Sequence, residues 1–205
     1  MKPTRLLIGC MGLLLTAACG GHGERIGIAI PGPLKDKTST TIVTGPRVVV
    51  LPFQDARGAQ AHLGTRSHLW GGVSYFDLPS GTVSDAGAQA FVEYLSRHGW
   101  NASLGRAAGG DGADVTIHTT IQSLAVDAKS GFMHTDLDAK NALAFRITNH
   151  TDESVVRERV AGAGTDRVFW FDSDDAQQLT SDLFESNFQK FLSDLRIEGR
   201  TIRLR

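Results

Sequence analysis

The sequence predicts an α+β fold: a strand-helix-strand unit, then an antiparallel meander and a C-terminal helix, with both helices packed on one face of a mixed sheet. Three observations carry this. Arg47-Val-Val-Val-Leu-Pro-Phe53 is an unbroken, β-branched apolar run of the kind found in strands buried on both faces. Two later stretches, 84–98 and 172–195, place apolar residues at helical spacing. Between them, residues 115–162 alternate apolar and polar side chains, as half-buried strands do.

Taken in order, the first strand ends at Pro52, which cannot donate to a sheet ladder. Residues 54–81 hold Gly58, Gly64, Gly71, Gly72, Pro79 and Gly81, and read as a long loop with one short strand. In the first helix Ala88, Phe91, Val92 and Leu95 share a face, Ser84 and Asp85 suit its start, and Gly99 suits the left-handed position past its end. Gly105–Gly112 is a turn-rich connection. Val115, Ile117, Thr119 and Ile121 then line one side of a strand that should lie parallel to the first, reached by a right-handed crossover. The next strand puts Leu137, Ala139, Leu143, Phe145 and Ile147 inward, with Asp136, Asp138, Lys140 and Arg146 outward. A turn at Asn149-His-Thr-Asp152 leads to a third strand over 155–162, which Val168-Phe-Trp-Phe171 extends. The closing helix opens on Asp172-Ser-Asp-Asp175, where acids favour the positive end of the helix dipole. Its apolar stripe is Leu179, Leu183, Phe184, Phe188, Phe191, Leu192 and Leu195.

The chain divides into three expected parts. Residues 1–18 carry Lys2 and Arg5, an apolar core from Leu6 to Leu15, and small residues before Cys19, which is the pattern of an export signal. That apolar run is shorter than the roughly 20 residues a membrane span requires. Residues 19–46 read as a tether, with Pro31, Pro33 and a Thr/Ser run, and with an edge strand where Ile26, Ile28 and Ile30 alternate. Residues 47–205 form a single domain. Cys10 leaves with the signal, so Cys19 is the only cysteine of the mature chain and no internal disulfide can form. Thr16-Ala-Ala-Cys19-Gly resembles a bacterial lipobox, whose cysteine becomes a lipidated N-terminus, with Thr16 standing where such boxes carry leucine. Several acyl chains on Cys19 would hold the protein stably on a membrane, where one would bind only marginally.

Composition narrows the function. The chain carries 21 basic and 22 acidic residues; without residues 1–18, 19 basic residues face 22 acidic ones, giving no basic excess for nucleic acid. None of the seven histidines shows the paired helical spacing of a zinc protease, and no second cysteine completes a structural zinc site, so no metal or cofactor is expected. No serine sits in a Gly-x-Ser-x-Gly setting, and the acids at 172–175 lack the glycine and distal glutamate of a calcium loop. A non-enzymatic role is the expectation. The segment Gly64–Phe76 is the exception to this plainness, because Arg66, His68, Trp70, Tyr75 and Phe76 are residue types that interfaces use as anchors. Against that reading, Leu69, Trp70, Val73 and Phe76 would serve equally well as a cap on the sheet.

Val48-Val-Val-Leu-Pro-Phe-Gln-Asp55, Tyr94-Leu-Ser-Arg-His-Gly-Trp100, Asp114-Val-Thr-Ile117 and the closing helix, together with the lipobox, resemble the YajG-type family of bacterial lipoproteins. A looser similarity extends to lipoprotein components of envelope ABC transporters and to the amino-terminal domain of TolB. The resemblance implies a periplasm-facing α+β domain without catalytic residues. Gly20, rather than aspartate, follows the lipidated cysteine, which in such proteins favours the outer membrane. The expected function is therefore a lipid-anchored outer-membrane lipoprotein that binds or supports another envelope component. The alternative is a lipid- or ligand-binding accessory subunit of an ABC-type transport system, its ligand held between helices and sheet.

Overall fold

The computed structural model describes residues 23–30, 45–106 and 112–205. Cys19 and His22 lie outside the described residues. Eleven strands and two helices follow one another in these segments. They are β1 (Arg25–Gly27), β2 (Val48–Val50), β3 (Gln54–Asp55), β4 (Gly64–Ser67), β5 (Val73–Asp77), α1 (Val83–Arg97) and β6 (Ala102–Leu104). After these come β7 (Val115–Gly131), β8 (His134–Asn149), β9 (Val155–Val168), α2 (Ser173–Ser193), β10 (Leu195–Glu198) and β11 (Thr201–Leu204).

The sheet is organised on β7. One edge pairs along its whole length with β8, which in turn pairs with β9, and this is the expected antiparallel meander. The other edge is shared by β2, β3 and β4, all parallel to β7. Thus β2 and β7 are the parallel neighbours the sequence suggested, and β6 adds a further parallel strand outside β2. At the far side β5 pairs antiparallel with β4, and β1 runs parallel to β5 as an edge strand. Segment 23–30 is thereby drawn onto the domain, with Ile28 and Ile30 buried in the core.

The length of β7 creates a problem of phase. Val115, Ile117, Thr119 and Ile121 point inward at odd positions, yet Leu124, Val126 and Ala128 point inward at even ones. A register shift between Ile121 and Ser123 resolves it, leaving Gln122 as the extra residue of a bulge. Without that residue one half of the strand would turn its apolar side to water.

Both helices cover the same face. Phe91 of α1 lies 5.3 Å from Phe145 of β8, and 4.9 and 5.3 Å from Phe188 and Phe191 of α2. All four rings are essentially excluded from water. Such aromatic pairs add about 0.5–1.5 kcal/mol each beyond the area they bury. Helix α1 is capped by Thr82, whose side chain accepts from the Asp85 amide, rather than by Ser84; Gly99 (φ 82°) follows its end as expected. Asp172 caps α2 in a reciprocal capping box with Asp175.

Three expectations need correction. Residues 54–81 are not a loop with one short strand but contain β3 and the β4–β5 hairpin. The closing helix stops at Ser193; Leu195 belongs instead to the β10–β11 hairpin, where it is buried in phase with the helix stripe. Finally, β9 reaches Val168 but does not include Phe169–Phe171. Among the described residues no helix is long and apolar enough to cross a membrane.

Candidate functional site

Three chain reversals meet at one end of the sheet. Ser67 of β4 pairs with Val73 of β5 and also with Lys129 of β7, so the β4–β5 turn sits beside the β7–β8 turn. Thr135 of β8 pairs with Val168, which brings the end of β9 to the same rim. Each reversal exposes two large apolar side chains: Leu69 and Trp70, Phe132 and Met133, Phe169 and Trp170. Trp70 is 92% exposed, Trp170 82% and Phe132 76%, and Trp170 meets the neighbouring Phe169 ring edge-on at 5.3 Å. Single exposed hydrophobics are ordinary, whereas a group this large is not.

Local sequence explains the projection. His68–Gly72 closes by hydrogen bonds from the His68 amide to the Gly72 carbonyl and from the Gly71 amide to the His68 carbonyl, with Gly71 and Gly72 at positive φ. Leu69 and Trp70 have no strand partner and leave the sheet. Phe132 and Met133 form a two-residue hairpin turn between Gly131 and His134, and Met133 takes φ 58°, where glycine or asparagine would be less strained.

Beneath the rim the other sequence-predicted residues hold it together. The Arg66 guanidinium lies 4.1 Å from the centre of the Phe171 ring, and Phe171 covers Phe76 at 6.0 Å. Burial lowers the Arg66 pKa, and Glu24 opposes that shift. His68 Nε2 is 2.7 Å from the Ser74 hydroxyl, which also donates to Glu24 at 3.3 Å. Tyr75 is on the opposite side of β5, stacked at 4.3 Å on His62, whose Nδ1 meets Asp77 at 2.7 Å. Phe76 is fully buried and unavailable to a partner. Of the five residues singled out in 64–76, only Trp70 projects into solvent. The mates that complete the rim, Phe132 and Trp170, come from turns remote in sequence.

The His62–Asp77 pair borders an open pocket of about 320 Å³ also lined by Arg25, Asp55 and Arg57. An imidazole oriented by a carboxylate is half of a nucleophile-activating arrangement. Among the described residues no hydroxyl or thiol is hydrogen-bonded to His62. Nor do three metal-binding side chains cluster among them.

The helix-free face of the sheet carries a second feature. His118, Arg146, Arg157 and Arg159 line a groove of about 740 Å³, with Gln54, Thr120 and Thr148 beside them. Cross-strand pairing puts His118 opposite Arg146, Arg146 opposite Arg157, and Ala144 opposite Arg159. No carboxylate among the described residues forms an ion pair with any of the three arginines. Like charges set opposite one another cost stability, so the cluster is kept against the sheet's own interest. Arg146 lies on the wet face its strand pattern predicts, and the same outward phase along β9 is the sequence signal for Arg157 and Arg159.

No family model matches the chain, and neither does any curated protein. Similar solved structures include protein XCC0632 from Xanthomonas campestris, assigned to DUF330, at 11% identity over 74% of this chain and 83% of that one, TM-score 0.49. A PelC dodecamer from Paraburkholderia phytofirmans matches at 11% over 72% and 90%, TM-score 0.39. Lipoprotein GNA1162 from Neisseria meningitidis matches at 11% over 69% and 97%, TM-score 0.30. At these scores none bears on function, and the likeness to the YajG-type family rests on the sequence patterns alone.

Proposed function

We propose that this chain is a non-enzymatic, lipid-anchored lipoprotein of the bacterial cell envelope, held through Cys19 at the periplasmic face of the outer membrane, whose domain binds another envelope component of anionic character. The observation that carries the partner chemistry is the groove of Arg146, Arg157, Arg159 and His118, open to solvent; Glu158 also borders it, but its carboxylate is removed from solvent, and among the described residues no acid pairs with the three guanidinium groups. Guanidinium groups beside Thr120 and Thr148 hydroxyls suit phosphate, sulfate or carboxylate. The accessory-subunit alternative puts a ligand between helices and sheet, where Phe91, Phe145, Phe188 and Phe191 already fill the space.

Two measurements test the reading. Wild type and Cys19→Ala are expressed with radiolabelled fatty acid and the membranes fractionated; label in the wild-type outer membrane and none in the variant is expected, and label in neither overturns the anchor. Fluorescent dextran sulfate, with neutral dextran as control, then probes the groove. Binding that is salt-sensitive and falls by at least about tenfold in Arg146→Ser/Arg157→Ser/Arg159→Ser supports it. Equal binding by both proteins overturns it.

A further inference from the structure

We propose that the rim formed by Trp70, Phe132 and Trp170, with their neighbours Leu69, Met133 and Phe169, is a membrane-docking surface that seats the domain end-on in the lipid leaflet. The proposal rests in part on the reading of Cys19 as the anchor.

The argument begins where the chain enters the fold. The Gly23 amide donates to the Val73 carbonyl at 2.9 Å, and Val73 is the first residue after the β4–β5 turn that bears Trp70. Strand β1 therefore starts at the aromatic end of the sheet. Whatever path residues 19–22 follow, four residues span at most about 14 Å, so acyl chains on Cys19 enter the leaflet within reach of the rim. The anchor and the rim thus demand the same orientation.

Residue chemistry agrees. Tryptophan and phenylalanine are the side chains that settle at the boundary between headgroups and hydrocarbon. Lys129 and His134 flank the β7–β8 turn beside Asp136, which also pairs with Arg167, so the acid at this end of the sheet is neutralised rather than turned bare toward the leaflet. Shape favours a fluid occupant over a rigid one: three separate, largely exposed prongs, one of them the edge-on Phe169–Trp170 pair, offer no groove for a folded partner, whereas headgroups rearrange around each. The backbone strain at Met133 keeps an apolar side chain at the tip of a turn where glycine would fold more easily.

Fluorescence quenching by brominated lipid tests this directly. The full mature chain, lipidated on Cys19, is reconstituted into phosphatidylethanolamine/phosphatidylglycerol vesicles carrying acyl-brominated lipid; unlipidated Cys19→Ser is added to the same vesicles. Trp70 and Trp170 are expected to be quenched, and Trp70→Phe/Trp170→Phe, which keeps only the half-buried Trp100, is not. Vesicle partitioning of the unlipidated chain should fall by at least about tenfold in Trp70→Ser/Phe132→Ser/Trp170→Ser. Lipidated protein whose quenching does not exceed that of the double phenylalanine variant overturns the proposal and leaves the anchor intact. Quenching of the unlipidated chain on vesicles, together with no fatty-acid label on Cys19 in cells, would keep the rim and remove the anchor. A doubled solution mass abolished by the serine variants, without quenching, would give the rim to a second copy and overturn membrane docking.

Discussion

The Arg66 guanidinium of β4 lies over the ring of Phe171, 4.1 Å from its centre, although 105 positions separate the two in sequence. This contact ties the segment leaving β9 to the β4–β5 hairpin, and so joins two of the three prongs of the rim. A half-buried cation over an aromatic face contributes about 0.5–2 kcal/mol. Arg66→Ala should lower the melting temperature by a few degrees, since about 1 kcal/mol moves a domain of this size by roughly 2–4 °C. Arg66→Met, which keeps the packing but not the charge, should lose less. Equal losses would mean that the charge over the ring, and not the packing, carries the whole effect.

Gly64 is held by proximity rather than by backbone conformation. A Cβ built there would fall 1.7 Å from the Val126 carbonyl oxygen, within the β4–β7 pairing itself. Backbone cannot swing aside as a flexible side chain can. Gly64→Ala should therefore cost about 2–3 kcal/mol, the upper range for overpacking, seen as a lower denaturation midpoint and faster amide exchange across 64–67. Unchanged exchange there would show that β4 tolerates the methyl group.

How far this was legible in the sequence follows from where the physical signal lay. Helices α1 and α2 and the meander were readable because burial on one face writes a period into the residues, as Leu137 to Ile147 and Phe184 to Phe191 show. Leu195 misled because it continues the α2 stripe in phase while belonging to a hairpin, whose turn was signalled only by Gly199. Trp70 and Phe76 are similar in type and opposite in fate: a turn closed by Gly71 and Gly72 expels one, while strand alternation buries the other. The arginine groove was legible only in part, since the outward phase of each arginine is local but their meeting is not. Arg146, Arg157 and Arg159 meet only through the register of β8 with β9, which no local pattern states.

Glu158 makes stability depend on pH. It stands opposite Phe145 on β9; its carboxylate oxygens are removed from solvent and meet no donor. Burial, and then the Asp194 carboxylate at the end of α2, push its pKa up from 4.5 to about 7. The folded state therefore holds a proton that the unfolded chain has released, and stability falls as pH rises between about 4.5 and 7. Below 4.5 the benefit is complete, and above 7 the loss is. Asp114, held low by the Arg47 amide and by Arg200, acts in the other direction, its contribution disappearing only as pH drops below 3.8. Urea midpoints at pH 5 and pH 8 should differ in wild type, with pH 8 the weaker, and Glu158→Gln should reduce the difference by strengthening the protein at pH 8. A variant with the wild-type difference would assign the slope to other groups.

Arg146 and Arg157 face each other across β8 and β9 without a carboxylate between them. If the cluster exists for an anionic partner, the isolated domain bears its repulsion and relief should be measurable. Arg157→Thr removes one charge and substitutes a residue well suited to an exposed strand. It should raise stability by about 0.2–0.5 kcal/mol in low salt. Added salt should strengthen the wild type more than the variant, because screening relieves only the protein that still carries the opposed charges. Anion binding should weaken in the same variant, separating what the groove does for a partner from what it costs the fold. A variant less stable than wild type at low salt, with the same salt response, would show that Arg157 is a structural residue and that the groove is not held under charge repulsion for a partner.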